Sequence, residues 1–210
     1  ISVLIDSIKE SRKIFQRMNN YSIYRITETI RVLFFITLSI LIFQFYPITA
    51  LMIVLLALLN DAPIMSIAYD NVKYSSKPER WNLRIILFIA TFLGILGVIE
   101  SFFVLYLGID ILKLSIPVLQ SFIYLKLSVA GHLTVFMART KGHFWEIKPA
   151  PQLFIAIVGT QLIATLITVY GILLPAMGWF LAGVIWAEAL TVFFIIDAIK
   201  VRFYNFLNKE

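Results

Sequence analysis

Long runs of apolar residues, separated by short polar stretches, dominate the pattern along this chain. A helix needs about 20 apolar residues to cross the roughly 30 Å hydrocarbon layer of a bilayer. Six segments reach that length, and we predict a transmembrane helix in each: about 25–46, 48–68, 83–107, 116–138, 152–174 and 178–199. Turn signals separate them, namely Pro47, SSKPER (75–80), GIDILK (108–113), KPAP (148–151) and Pro175 with Gly178. The pattern predicts an all-α, polytopic membrane helical bundle, with a six-helix transmembrane domain at 25–200 and a short cytoplasmic tail at 201–210.

Composition supports lipid as the solvent for most of the chain. Of the 210 residues, 60% are hydrophobic and only 14% are charged, whereas soluble domains are closer to half apolar and a quarter charged. Cysteine is absent, which excludes disulfides and thiolate metal sites. The chain opens with Ile-Ser-Val, without an initiator Met, and we therefore expect it to be a piece of a longer protein.

The basic residues predict the orientation in the membrane. Fifteen of the 18 Lys and Arg residues lie before the first span, in the second and fourth connections, or after the last span, whereas only Lys113 lies in the other connections. Connections rich in Lys and Arg stay in the cytoplasm. We expect a multi-pass protein of the plasma membrane with both termini cytoplasmic. This distribution explains the net charge of +6 without any nucleic-acid partner.

Residues 1–24 differ in kind from the spans. Apolar side chains recur at helical spacing, with charged residues between them, in the series Ile1, Leu4, Ile5, Ile8, Ile14, Phe15 and Met18. One reading is an amphipathic helix that lies on the bilayer surface. The other is a cytoplasmic stalk helix, continuous with the first span, since no Pro or Gly interrupts 1–46. We favour the stalk.

Two ionisable residues at membrane depth are candidates for a functional site. Counting from the turn at Pro47, at about 1.5 Å per residue, places Arg31 about 22 Å deep and Asp61 about 20 Å deep. We therefore predict that Arg31 is the counter-ion of Asp61. Pro63 lacks an N–H and its ring obstructs the carbonyl of Leu59, which predicts a helix break beside the carboxylate. Asp61 and freed carbonyls would form a site for a proton or small cation, the alternative being a structural ion pair beside an ordinary proline kink.

Other intramembrane polar residues are weaker candidates. Asn60, Glu100, Lys126 and Glu188 all lie within predicted spans. Lys126 is placed to neutralise either acid and so to tie spans together, with an outward proton path as the alternative. Gly94 and Gly97 favour close helix packing. We find no metal-ligand cluster, no phosphate-binding glycine loop and no catalytic triad in the sequence, and we predict neither a metal site nor a catalytic residue in this chain.

Four segments of the chain resemble the carboxy-terminal half of plasma-membrane proton-pumping P-type ATPases. They are SRKIFQRMNNYSIYRITETIR (Ser11–Arg31), LLNDAPIMSIAYDNVK (Leu58–Lys73), QLIATLITVYG (Gln161–Gly171) and GVIWAEALT (Gly183–Thr191). The resemblance implies spans five to ten of a ten-span pump, with 1–24 as the stalk below the phosphorylation domain. It also implies that Asp61 is the proton acceptor and Arg31 the opposing arginine.

The same resemblance implies what this chain does not contain. The DKTGT phosphorylation motif and the nucleotide-binding domain of the family are not in this sequence. ATP and Mg²⁺ would therefore bind in the missing amino-terminal half of the pump, and the chain alone would be inactive although the full-length protein would be an ATP-driven translocase.

Two alternative functions stay open from the sequence. The first is a P-type pump for another cation, although Ca²⁺ prefers six to eight oxygen ligands and the sixth span of the implied pump offers one acid. The second is a non-catalytic membrane subunit or a gradient-driven transporter. A DKTGT motif upstream of Ile1 in the parent gene would favour a pump over this second alternative.

The basic-residue bias yields a direct test of orientation. We expect a reporter protein fused after Glu210 to lie in the cytoplasm, because an even number of spans returns the chain to its starting side. Fluorescence of a reporter that folds only in the cytoplasm measures this, and activity of a reporter that folds only outside the cell would contradict the topology.

Overall fold

The computed structural model describes residues 2–75 and 81–207, which fold into six long helices. They are α1 (Ser2–Phe43), α2 (Ala50–Ser66), α3 (Leu83–Tyr106), α4 (Ile116–Ala138), α5 (Pro151–Tyr170) and α6 (Gly178–Leu207). A 3₁₀ turn, Ile67–Tyr69, follows α2, and a π-helical segment, Leu107–Ile111, extends α3. With these extensions all six are long and apolar enough to cross a membrane, and the described residues contain no strand. The predicted all-α bundle of six spans is confirmed.

Local signals explain several helix ends. Thr49 caps α2 by accepting a hydrogen bond from the backbone N–H of Met52 at 3.3 Å, and Asn82 caps α3 through the N–H of Ile85 at 3.3 Å. Such caps satisfy backbone donors that a helix start leaves unpaired. Helix α5 ends at Gly171, whose backbone is left-handed with a φ of 74°. A residue without a Cβ adopts this conformation readily.

Both terminal helices run past the predicted membrane spans. Helix α1 is unbroken from Ser2 to Phe43, and its residues Ser2–Ser11 are all exposed. Helix α6 continues to Leu207, beyond the predicted end near residue 199, because Phe203 stacks on Phe92 of α3 with ring centroids 4.2 Å apart. Much of the predicted turn SSKPER, at 76–80, and the tail at 208–210 lie outside the described residues.

Helix α4 is the centre of the bundle. It packs against each of the other five helices, and every residue from Ser121 to His132 is buried. It is also the least apolar of the six spans. Because polar groups are costly against lipid and less so against protein, the span that carries Lys126 and His132 lies where no lipid reaches it.

Helices α1 and α2 diverge even though they are consecutive in the chain. Helix α1 packs mainly on α3 and also on α4, whereas α2 packs on α4 and α5. Along the described chain, the main contact between the first two spans is made by the 3₁₀ turn Ile67–Tyr69, which packs on α1. The first two spans therefore do not form a closely packed hairpin.

The connections after α2 and α4 are joined by a buried ion pair. Arg139 Nε lies 2.7 Å from Asp70 Oδ2, and Arg139 Nη2 lies 3.0 Å from Asp70 Oδ1. Arg139 also donates to the carbonyl of Ile147, and Asp70 accepts from the N–H of Ala150 at 3.0 Å. Both side chains are almost fully buried. A bidentate pair of this kind fixes the relative position of the two connections.

Removing the Asp70 charge should destabilise the fold. We expect Asp70→Asn to lower the stability of the full-length protein by about 3 kcal/mol or more, because Arg139 would stay buried without a counter-ion. Thermal unfolding in detergent, followed by the fraction of folded protein, measures the loss.

The matched control is Asp6→Asn, which breaks the exposed pair of Asp6 and Lys9, whose N–O distance is 3.7 Å. Exposed pairs contribute little, and we expect no measurable change. Equal effects of the two substitutions would contradict the assigned role of the buried pair.

Candidate functional site

Asp61 lies on the exposed side of α2. Val54, Leu58, Asp61 and Met65 are all exposed and recur at spacings of four, three and four, which places them on one helix face. Within the described parts of the chain Asp61 has no hydrogen bond and no ion pair. The carboxylate therefore interrupts an apolar stripe that the bundle itself does not cover.

The opposite side of α2 faces the bundle interior. Leu56, Asn60 and Pro63 are buried there, and Asn60 Oδ1 has no hydrogen-bond partner among the described residues. The sequence predicts a helix break at Leu59 and Pro63, whereas α2 continues through Pro63 to Ser66. A proline removes one backbone hydrogen bond, and the following turn is supported by Ser66 Oγ, which donates to the Pro63 carbonyl at 2.7 Å.

A buried histidine of α4, His132, lies against α5. Its ring lies 2.7 Å from the Ser128 carbonyl through Nδ1 and 2.9 Å from Thr160 Oγ1 of α5 through Nε2. His132 therefore links α4 to α5.

Arg31 points into the bundle, away from the exposed stripe of α2. It is 2% exposed and pairs with Glu28, one turn earlier on α1. It also donates to Thr134 Oγ1 at 3.2 Å and to the Leu127 carbonyl at 3.4 Å, both on α4. The structure thus differs from the predicted Arg31–Asp61 pair. The reason is that α1 turns Arg31 toward α4, whereas Asp61 lies on a face of α2 that points away from α4.

Two glycines make room for the Arg31 side chain. A Cβ at Gly97 of α3 would lie 2.7 Å from Arg31 Cδ. A Cβ at Gly131 of α4 would lie 3.1 Å from Arg31 Nη2 and 3.1 Å from Glu28 Oε1. A Cβ at Gly94 of α3 would likewise lie 2.7 Å from Ile30 Cγ2 of α1. Close approach of α1, α3 and α4 therefore depends on residues without side chains.

A second buried ion pair lies nearby, between α3 and α4. Lys126 Nζ is 3.3 Å from Glu100 Oε2 and donates to Ser101 Oγ at 2.5 Å. Arg31 and Glu100 both line one small cavity, whose volume of about 20 Å³ is enough for about one water molecule. Glu188 of α6 is near enough to Glu100 and Lys126 for both charges to act on it. Its two carboxyl oxygens are buried without hydrogen-bond partners in the described structure.

A third charged cluster was missed by the sequence reasoning. Asp197 of α6 accepts from Lys200 at 2.8 Å and lies 2.8 Å from His143 Nδ1, while Lys200 also donates to the Met137 carbonyl at 3.0 Å. The signal that could have found it is the spacing of Asp197 and Lys200. Residues three apart face each other on a helix, as do Glu28 and Arg31.

Six long apolar helices with ion pairs buried between them define a polytopic helical membrane protein. No family model matches the chain. The chain is 51% identical over 203 residues to the protein named "Putative cation-transporting ATPase MJ1226" of Methanocaldococcus jannaschii. The matched region covers 96% of this chain but 25% of that protein. The six-helix bundle is therefore similar to a membrane part of a cation-transporting ATPase, and it spans about a quarter of that relative's length.

Filling the Gly97 position should disturb the Arg31 site. We expect Gly97→Ala to lower the stability of the full-length protein by about 1–3 kcal/mol, because the new methyl group would overpack the buried side chain of Arg31. The midpoint of thermal unfolding in detergent measures this effect.

The control is Gly183→Ala on α6, where an added Cβ would meet nothing within 4 Å. Alanine favours helix relative to glycine, so this variant should be neutral or slightly more stable. If Gly97→Ala were as well tolerated, the close packing of Gly97 on Arg31 would not constrain the fold.

Proposed function

We propose that this chain is the carboxy-terminal membrane part of a P-type cation pump, and that the pump exports protons by way of Asp61. The observation that carries the proposal is the position of Asp61 in the middle of the exposed apolar stripe Val54–Leu58–Asp61–Met65. The similarity to a cation-transporting ATPase over 203 residues supports the pump context, and the resemblance in sequence motifs supports the proton.

The exposed stripe requires a partner in the membrane. Its apolar side chains could face lipid, but a carboxylate there is costly unless protein or water surrounds it. The relative is about four times as long as the matched region, and we propose that membrane helices from the corresponding part of the parent protein cover the stripe. Asp61 would then lie at an interface between two groups of helices, where an ion path can open on either side.

A single carboxylate suits a proton better than a larger ion. A proton needs one oxygen, whereas Ca²⁺ takes six to eight, and the neighbours of Asp61 on the stripe (Val54, Leu58 and Met65) offer no side-chain oxygen. Asp61 would take a proton while it is open to the cytoplasm and release it while it is open to the other side of the plasma membrane. Both chain ends would lie in the cytoplasm.

Helix α1 is placed to transmit movement from the cytoplasmic domains. Its exposed first ten residues, Ser2–Ser11, continue without a break into the part that contains Arg31. Tilting α1 would move α4 through the contact of Arg31 with Thr134 and would move α2 through the 3₁₀ turn at Ile67–Tyr69. ATP and Mg²⁺ would bind to the part of the parent protein outside this chain, and hydrolysis there would drive the tilt.

Substitution of Asp61 tests the proposal. In the full-length protein reconstituted into vesicles, we expect Asp61→Asn to reduce ATP-driven acidification to background, because an amide cannot carry a proton. Asp61→Glu keeps an acid and should retain part of the rate. A pH-sensitive dye inside the vesicles measures transport.

The matched control is Asp110→Asn, which removes an exposed acid in the π-helical segment at one end of the bundle and should transport at the parental rate. Acidification by Asp61→Asn at the parental rate would contradict the role of Asp61. A different result would change only the cargo. If the parental protein does not acidify the vesicles but transports another cation, and Asp61→Asn loses that transport, Asp61 would still be the transport site and that cation would be the cargo.

A further inference from the structure

The carboxyl group of Glu188 is buried without a hydrogen-bond partner among the described residues, in a part of the bundle that the proposed proton path at Asp61 does not use. Helix α6 packs on α3, α4 and α5. The charged groups that act on Glu188 are Glu100 of α3 and Lys126 of α4, and α5 contains no ionisable residue between 151 and 169.

The charges of Glu188, Glu100 and Lys126 do not cancel if all three side chains are ionised. There are two carboxyl groups and one ammonium, and the ammonium of Lys126 is already bound to Glu100 at 3.3 Å and to Ser101 at 2.5 Å. An ionised Glu188 would be a buried carboxylate without an ion pair or hydrogen bond, which is strongly unfavourable. The neutral acid avoids most of this cost.

We propose that Glu188 is a second proton-binding site in the membrane bundle, and that it holds its proton while Lys126 is paired with Glu100. The site shares one proton between two acids. If Lys126 turns from Glu100 to Glu188, the proton leaves Glu188 and one proton is taken up by Glu100, so that the total charge of the group is unchanged. The position of the Lys126 side chain thus decides which of the two acids is neutral.

This arrangement would connect α3, α4 and α6 to the movement of α1. Glu100 lines the same small cavity as Arg31, and Arg31 is bound to Thr134 of α4, two turns after Lys126. A shift of α4 relative to α3 would change the distance from Lys126 to Glu100 and so favour one acid over the other. This consequence for transport rests on the proposed pump function, whereas the protonation of Glu188 does not.

Infrared difference spectroscopy tests the proposal on the full-length protein in membranes at neutral pH. A protonated carboxyl group gives a carbonyl stretch that an ionised one lacks. We expect Glu188→Gln to remove the contribution of one protonated carboxyl group, and Glu188→Asp to shift that band. An unchanged spectrum for Glu188→Gln would overturn the proposal, and the Asp variant keeps the test informative if the Gln variant folds poorly.

A second substitution tests the sharing of one proton. Glu100→Gln frees Lys126 to pair with Glu188, so we expect the protonated-acid band of Glu188 to disappear even though Glu188 is intact. Persistence of the band in Glu100→Gln would overturn the exchange between the two acids.

Two control variants separate this proposal from the role of Asp61. Asp110→Asn removes an exposed acid and should leave the Glu188 band unchanged. Asp61→Asn should also leave it unchanged even when transport is lost, so failure of the Asp61 proposal and failure of the Glu188 proposal give different results.

Discussion

The structure depends on one constraint, which is that lipid hydrocarbon cannot solvate the charges that this chain carries at membrane depth. Glu28, Arg31, Glu100 and Lys126 are all buried between helices, and each is paired with a charge of the opposite sign. Every one of these side chains lies on α4 or points toward it. The central position of α4 is the geometric result, because a helix with a lysine and a histidine on its sides is stable in a bilayer only when other helices surround it.

The number and type of elements could be predicted from sequence because they depend on run length alone. About 20 apolar residues in succession identify a span wherever its neighbours lie, and the turn signals between runs are local. The partners of the buried charges could not be predicted in the same way. Arg31 and Asp61 were placed at similar depth, but depth depends on the rise per residue, whereas partner choice also depends on the direction in which each side chain points.

The direction in which a side chain points changes by about 100° with each residue along a helix. The packing of the helices decides which neighbour lies in that direction. No local pattern states that α1 packs on α3 and α4 while α2 packs on α4 and α5. The pairs Glu28–Arg31 and Asp197–Lys200 could have been found from sequence, because both partners lie on one helix. Asp70 and Arg139 could not, since 69 positions separate them. Asp61 differs from all of these residues because it is a membrane-depth acid that the bundle leaves open.

The location of Lys126 has a consequence for biosynthesis. A lysine at the centre of a transmembrane helix opposes insertion by about 2.5–3.5 kcal/mol. Arg31 emerges from the ribosome just after Glu28, on the same helix, so α1 brings its own neutralising group into the membrane. Helix α4 has no acid within its span, and its counter-charge, Glu100, is on α3. Pairing with Glu100 offsets this cost, so we expect insertion of α4 to be most favourable when α3 lies beside it.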